Sequence, residues 1–330
     1  MLGLNSLREL GELRIIRILE RSLGTSRNTV VGFGDDVSAV SLPGGKVAVL
    51  KTDMLVASTD MPPGMSMEQL ARKAVVANVS DLAAKGTSPM AGLVALGLPA
   101  GLTEKDVRGI ATGLSRAARE YRFPLVGGDT NESKDLTVTL ALFAVARKGQ
   151  LVLRSGARVG DIVAVSGEFG SASAGLKALL ERRIRPSRLA RPLHQAVYNP
   201  RAELELGLRL ASSGALSSSI DSSDGLAWSL HELSRASHVG IIIEHVPVSK
   251  AARKFAAHYG YKPDDLALYG GEEYHLVVTV KAGKLRLAQR ASRGILRPIG
   301  VVAGRSTGVR LEKAGKEVKI AMKGWEHFRR

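Results

Sequence analysis

Leu70-Ala71-Arg72-Lys73-Ala74-Val75-Val76-Ala77-Asn78-Val79-Ser80-Asp81-Leu82-Ala83-Ala84 reads as a largely apolar helix with a single carboxylate inside it. Ser66 and Gln69 form a capping box that starts this helix, and Gly86 lies at its end. An unpaired carboxylate is costly to bury in such surroundings, so Asp81 requires a cation. Four other segments place aspartates among small residues: Gly34-Asp35-Asp36, Lys51-Thr52-Asp53, Gly127-Gly128-Asp129-Thr130 and Asp221-Ser222-Ser223-Asp224-Gly225. Each alone reads as a turn. Together they have the composition of a site for hard cations and a polyphosphate, because magnesium takes oxygen ligands and is held by carboxylates together with phosphate oxygens. Small neighbours let backbone amides approach those oxygens. Asp221 and Asp224 share a strand-to-helix turn, where carboxylate and hydroxyl oxygens meet a helix N-terminus.

Outward from these motifs, the apolar spacing of Leu7, Leu10, Ile15, Ile18 and Leu19 predicts an amphipathic helix over Leu4 to Leu23. Val37–Leu42 and Lys46–Leu50 flank Pro43-Gly44-Gly45 as a hairpin. Thr103 and Asp106 cap a helix running towards Tyr121, and Met90–Leu98 and Leu136–Ala146 read as strands. The first half is therefore hairpin, helix, strand, helix, strand. The character changes around Arg147-Lys148-Gly149-Gln150, which places an N-terminal ATP- and metal-binding domain at 1–149 and a C-terminal α/β domain at 150–330. In the second domain helices are expected near 171–183, 200–212, 225–237, 249–259 and 281–292. Strands are expected near 161–166, 218–222, 240–244, 274–280 and 296–302, a mixture that indicates an α/β or α+β fold. A chain of 330 residues is long for one core, which agrees with two domains.

Composition removes several classes of function. With no cysteine, the chain has no disulfide, thiolate metal site or cysteine nucleophile. No apolar run approaches the ~18 residues of a membrane helix, and no secretory signal is legible, so the cytoplasm is the expected location. There is no P-loop. Gly170-Ser171-Ala172-Ser173-Ala174-Gly175-Leu176-Lys177 comes nearest, but has Leu176 where the lysine belongs. The seven histidines all lie in the second half without ligand spacing. A net charge of +16 suits anionic partners, but the basic residues are spread through both halves and only 4% of residues are aromatic, so nucleic acid is not the expected partner. The densest basic run, Arg182 to Arg191, contains Pro186 and reads as a solvated loop.

Six motifs in order then resemble one family. Gly32-Phe33-Gly34-Asp35-Asp36, Thr52-Asp53-Met54-Leu55-Val56, Asn78-Val79-Ser80-Asp81-Leu82-Ala83-Ala84, Gly127-Gly128-Asp129-Thr130, Asp221-Ser222-Ser223-Asp224-Gly225-Leu226 and Gly270-Gly271-Glu272-Glu273-Tyr274 look like thiamine-monophosphate kinase. That family belongs to the aminoimidazole-ribotide-synthetase-like ATP-binding superfamily. The resemblance implies several Mg2+ ions shared by Asp36, Asp53, Asp81, Asp129 and Asp221, with an oxygen from Thr52 and a further ion on Asp224. It implies that Gly128, Asp129, Arg154 and Ser223 contact ATP, that Asp53 and Asp129 are catalytic, and that Glu272 and Trp325 face thiamine monophosphate. It also implies a homodimer whose N-terminal domains form a β-barrel across the two subunits. Three positions depart from the family pattern. Lys51 stands where Ser or Thr is common, so its ammonium replaces one magnesium or that magnesium is absent. Asp60 stands about where a substrate-contacting histidine is expected, so either the loop is shifted or substrate recognition differs. His275 replaces an acidic residue. The alternatives are another ATP-dependent member of the superfamily, such as an aminoimidazole ribotide synthetase, or a basic nucleic-acid-binding protein on this scaffold.

Overall fold

The computed structural model describes residues 6–24, 26–181 and 190–324. In the first part of the chain, β1 (Thr29–Val31), β2 (Ser38–Leu42), β3 (Lys46–Val56), β4 (Ala91–Leu98), β5 (Leu125–Glu132) and β6 (Thr137–Arg147) form one sheet in the order β1-β2-β3-β6-β4-β5. Its pairs are antiparallel except β4 with β5. A second sheet contains β7 (Ile162–Val165), β8 (Leu216–Asp221), β9 (Gly240–Ile243), β10 (Leu276–Val280), β11 (Arg297–Ala303), β12 (Val309–Lys313) and β13 (Lys316–Lys319), ordered β13-β12-β9-β11-β7-β10-β8. The fold is mixed α/β, as its pattern of elements indicated. Among the described residues no helix is long and apolar enough to cross a membrane.

The Met67–Lys85 helix occupies the seam between the sheets, packing on β3 and β6 on one side and on β8 and the Leu204–Ser212 helix on the other. This explains why its sequence is apolar nearly all round: a helix covered on every side has no water-facing stripe. Its start is fixed by Ser66, whose Oγ accepts from the Gln69 amide at 3.2 Å, while the Gln69 side chain accepts from the Ser66 amide at 2.9 Å. Gly86 ends it in the left-handed conformation at φ 70°. Two glycines on neighbouring helices allow the close approach. A Cβ on Gly113 would collide with the Glu68 carbonyl oxygen, and one on Gly207 with that of Ala83.

Strand periodicity sorts the residues of the first sheet. The ladder places Asp53 opposite Leu140 and Leu140 opposite Val94, with Lys51, Leu142 and Gly92 in the next row on the same face. This face lies against the Met67–Lys85 helix. The intervening rows, Leu50 with Phe143 and Met54 with Thr139 and Ala95, point the other way, and Leu50, Met54, Leu93 and Phe143 are exposed there.

The structure corrects several boundaries. The first helix is two, Leu7–Leu10 and Glu12–Leu23, broken at Gly11 with φ 69°. Asp53 lies within β3, not beyond the end of a shorter strand. Gly127-Gly128-Asp129-Thr130 lies in β5 and not in a turn, because pairing with β4 overrides a glycine-rich sequence of low strand preference. β1, β12, β13 and the helices Ala190–Tyr198 and Pro263–Tyr269 were not expected; the last spans only 7 residues and opens on proline at its first position. Gly207→Ala is expected to lower unfolding free energy by about 1–3 kcal/mol, the usual cost of overpacking, while Gly101→Ala, whose Cβ would meet nothing within 4 Å and whose φ is not positive, introduces no such clash. Urea denaturation monitored by circular dichroism checks the Gly207 value.

Candidate active site

Asp81 occupies the face of its helix that meets β3. The cation it requires comes from the chain itself: Lys51 Nζ lies 2.5 Å from Asp81 Oδ2 and 2.8 Å from Asp53 Oδ1. Asn78, one turn before Asp81, accepts the Asp53 amide at 2.9 Å and so ties helix to strand. One turn after Asp81 comes Lys85, which is fully buried and lies 2.8 Å from both Asp35 Oδ1 and Asp36 Oδ2. Lys85 also donates to the Ser219 carbonyl at 2.7 Å, reaching the second sheet. Asp36 is bound further by Arg154, whose Nε donates to Oδ1 at 2.7 Å. The other arm of that guanidinium meets Glu232 at 3.1 Å, and Glu232 is held in turn by Arg235 at 2.6 Å.

Asp221, at the end of β8, completes the cluster. One carboxylate oxygen each from Asp36, Asp81 and Asp221 lies within 4.8 Å of the others, and all three residues are buried. Ser223 Oγ donates to Asp221 Oδ1 at 3.0 Å, but Asp221 Oδ2 is buried without a hydrogen-bond partner. A buried carboxylate with one unsatisfied oxygen, grouped with two further carboxylates, fits a divalent cation with oxygen ligands. The electrostatics agree. Burial raises the pKa of Asp221, reinforced by the charge of Asp36. Burial also raises Asp81, and Lys51 does not compensate for it together with Asp221, Asp53 and Asp36. Asp36 goes the other way, because Lys85 and Arg154 outweigh its burial. Asp224, at the start of the Leu226–Ser237 helix, is pushed up to about 7 by burial and then by Asp221.

A cavity of about 240 Å³ opens beside the cluster, with Asp60, Lys73, Lys177, Tyr269, Gly271 and Glu272 in its lining. Glu272 holds φ 66° while its amide donates to the Ser223 carbonyl at 2.6 Å, which joins cavity to cluster. Gly271 permits this turn, since a Cβ there would stand 2.5 Å from the Ser223 oxygen. The Glu272 carboxylate pairs with Lys73, a lysine of 1% exposure. Glu273 turns away, accepting the Gly170 and Ala172 amides at 2.7 and 3.0 Å. His275 pairs with Glu203 at 2.8 Å. A larger open depression of about 770 Å³, lined by Arg286, Gln289, Arg290, Arg293 and Gly294, shares no residue with the aspartate motifs.

The expected residues are thus brought together unequally. Asp36, Asp53, Asp81, Arg154, Asp221 and Ser223 converge. Thr52 points from the other face of β3, and its Oγ1 donates to the Leu140 carbonyl at 2.9 Å. Gly128 and Asp129 lie on β5, separated from β3 by β6 and β4, about 14 Å of ladder at ~4.8 Å per step. Gly128 must be glycine there, because a Cβ would collide with the Val94 carbonyl oxygen. Asp60 turns its carboxylate to the Val56 amide at 2.8 Å and to Thr59 Oγ1 at 2.9 Å, so the residue lines the cavity while its charge serves a local turn. Trp325 and most of the basic run, Arg182 to Leu189, lie outside the described residues. Lys73, Lys85 and Glu232 were not singled out from the sequence. The signal was available for the lysines, since charges four residues after Asp81 and eight before it cannot lie in a buried helix without partners.

Residues 34–147 match the family described as AIR synthase related protein, N-terminal domain. The chain is 34% identical over 323 residues to the thiamine-monophosphate kinase of Nitrosopumilus maritimus (strain SCM1), spanning 97% of this chain and 99% of the relative. It is 36% identical over 298 residues to that of Pyrococcus abyssi, spanning 90% of each. Among solved structures, AaThiL complexed with AMPPCP and TMP is similar with a TM-score of 0.86 at 30% identity, over 99% of this chain and 100% of that one. Thiamine monophosphate kinase from Aquifex aeolicus gives a TM-score of 0.77 at 29% identity, over 92% of this chain and 97% of that one.

A carboxyl raised on folding stabilises the native state less as pH rises. For Asp224 the loss begins near its ordinary value of 3.8 and is complete above about 7. In EDTA, the melting temperature of the wild type is therefore expected to fall between pH 5 and 8 more than that of Asp224→Asn, and Mg2+ should reduce the difference. Parallel slopes for the two proteins would contradict the assignment.

Proposed function

The chain belongs to the thiamine-monophosphate kinase family, and from that premise we propose that it transfers the γ-phosphoryl group of ATP directly to the phosphate of thiamine monophosphate, giving thiamine diphosphate. The observation that carries this reading is the set of buried oxygens from Asp36, Asp81 and Asp221 beside a cavity that ends at Glu272. Magnesium bound there would offset the charge on the polyphosphate and on the transferred group. The residues suited to hold it are Asp36, Asp53, Asp81 and Asp221, with Asp224 at the adjoining helix N-terminus; Thr52 and Asp129 join this set on the family resemblance.

Each half of the site supports a different part of the reaction. The family resemblance assigns Arg154, which here pairs with Asp36 and Glu232, and Ser223 to the nucleotide, together with Gly128 and Asp129 on the edge strand β5. Glu272, held by Lys73, offsets the positive heterocycle of the acceptor, and Trp325 supplies a stacking face. Asp60 bounds the same cavity as a wall of the acceptor site. The site needs no general base, because a phosphate monoester with its second pKa near ~6 is already largely ionised at neutral pH. The roles of 1–149 as the nucleotide and dimerisation domain and of 150–330 as its α/β partner belong to this proposal. So does a cytoplasmic location.

We further assign the exposed sheet face of Leu50, Met54, Leu93 and Phe143 to a second copy of the chain, closing a barrel across a homodimer. Light scattering is expected to give twice 35.0 kDa at micromolar concentration. A monomer would contradict the dimer. For the chemistry, Asp53→Ala and Asp129→Ala should each lower thiamine diphosphate formation by at least about a hundredfold, the scale of losing one electrostatic contact to the transition state. Their circular dichroism should match wild type. Near-normal turnover in either variant would remove that residue from the mechanism.

A further inference from the structure

The cluster is unusually rich in fixed positive charge. Lys51 bridges Asp53 and Asp81 at 2.8 and 2.5 Å, and Lys85 bridges Asp35 and Asp36 at 2.8 Å each. Arg154 adds a third cation on Asp36, while its contact with Glu232 is balanced by Arg235. When ionised, the carboxylates Asp35, Asp36, Asp53, Asp81 and Asp221, with Asp224 beside them, outnumber the three cations Lys51, Lys85 and Arg154, leaving negative charge for a divalent ion to offset. Asp221 agrees with this remainder, since among the described residues it is the one of Asp35, Asp36, Asp53, Asp81 and Asp221 that no lysine or arginine pairs with, and its Oδ2 is buried without a hydrogen-bond partner.

We propose that Lys51 is a fixed counter-ion that takes the place of one divalent ion between Asp53 and Asp81, so that the nucleotide-free site binds a single divalent cation, at Asp36, Asp81 and Asp221. The inference deepens the reading of this site as that of a divalent-cation-dependent kinase and rests on it. A lysine here has a defined physical consequence. Two carboxylates on different elements, one from β3 and one from the Met67–Lys85 helix, are held together without metal, so the site is assembled before the nucleotide arrives. Its ammonium is fixed to the chain and cannot leave with the product. Replacing it by threonine opens a seat with two uncompensated carboxylates, which a second divalent ion can fill.

The test is equilibrium binding of Mn2+ to the metal-stripped full chain without nucleotide, with free Mn2+ read by electron paramagnetic resonance. Wild type and Lys51→Arg are expected to bind one equivalent, Lys51→Thr two, and Asp221→Asn none at the same free Mn2+. A wild-type count other than one overturns the proposal, as does a folded Lys51→Thr protein that still binds one. If Lys51→Thr does not fold, the counts for wild type and Lys51→Arg decide alone. No turnover is read, so the counter-ion fails or stands independently of the kinase reaction.

Discussion

The burial of Asp81 in a helix enclosed between two sheets is the constraint on which the site depends. A carboxylate so placed must be answered by positive charge, and the chain answers it with Lys51 from the neighbouring strand. The same helix brings Lys85 to Asp35 and Asp36 one turn later and Lys73 to Glu272 two turns earlier. One element thus fixes the carboxylates of the first sheet, the loop that follows β8 and the cavity lined by Glu272 in a common frame. The close contacts at Gly113 and Gly207 set the depth at which the helix lies.

Charge balance links that frame to chemistry. Transfer between two phosphorylated molecules brings anions together, and catalysis is mostly positioning and electrostatic stabilisation. Asp36 is held ionised by Lys85 and Arg154, whereas Asp81, Asp221 and Asp224 are raised by burial and by one another. Of the raised group, Asp81 already meets Lys51, whereas Asp221 and Asp224 have no lysine or arginine ion pair among the described residues, so a bound cation would supply the positive charge missing there. The lowered Asp36 lies where the chain has already supplied the cations. The same residues therefore divide into a part completed by the protein and a part open to ligands.

Much of this was legible in the sequence. The capping boxes at Ser66 and Thr103 marked the helices Met67–Lys85 and Glu104–Glu120 at their true starts, because capping is local chemistry. Four of the five aspartate motifs supplied residues that converge, while the one around Asp129 lies on β5, beyond β6 and β4, and the oddity of Asp81 pointed to a cation. What the sequence did not disclose depends on neighbours distant along the chain. β5 is a strand only because β4 lies beside it, and its glycine-rich run reads locally as a turn. The side chain of Thr52 turns away from Asp53 because strand residues alternate, a consequence hidden until β3 was seen to continue through the motif. Lys85 could have been read from the apolar helix that carries it, whereas Asp60 becomes informative only once its carboxylate is seen to close its own turn.

The most direct test of the site is diffraction at the manganese absorption edge from crystals grown with Mn2+ and a non-hydrolysable ATP analogue. An anomalous peak at bonding distance from the oxygens of Asp36, Asp81 and Asp221, with the triphosphate against it and Lys51 still between Asp53 and Asp81, is the expected result. A nucleotide bound elsewhere, or no metal at these three carboxylates, would contradict the central claim that their enforced proximity creates the phosphoryl-transfer site.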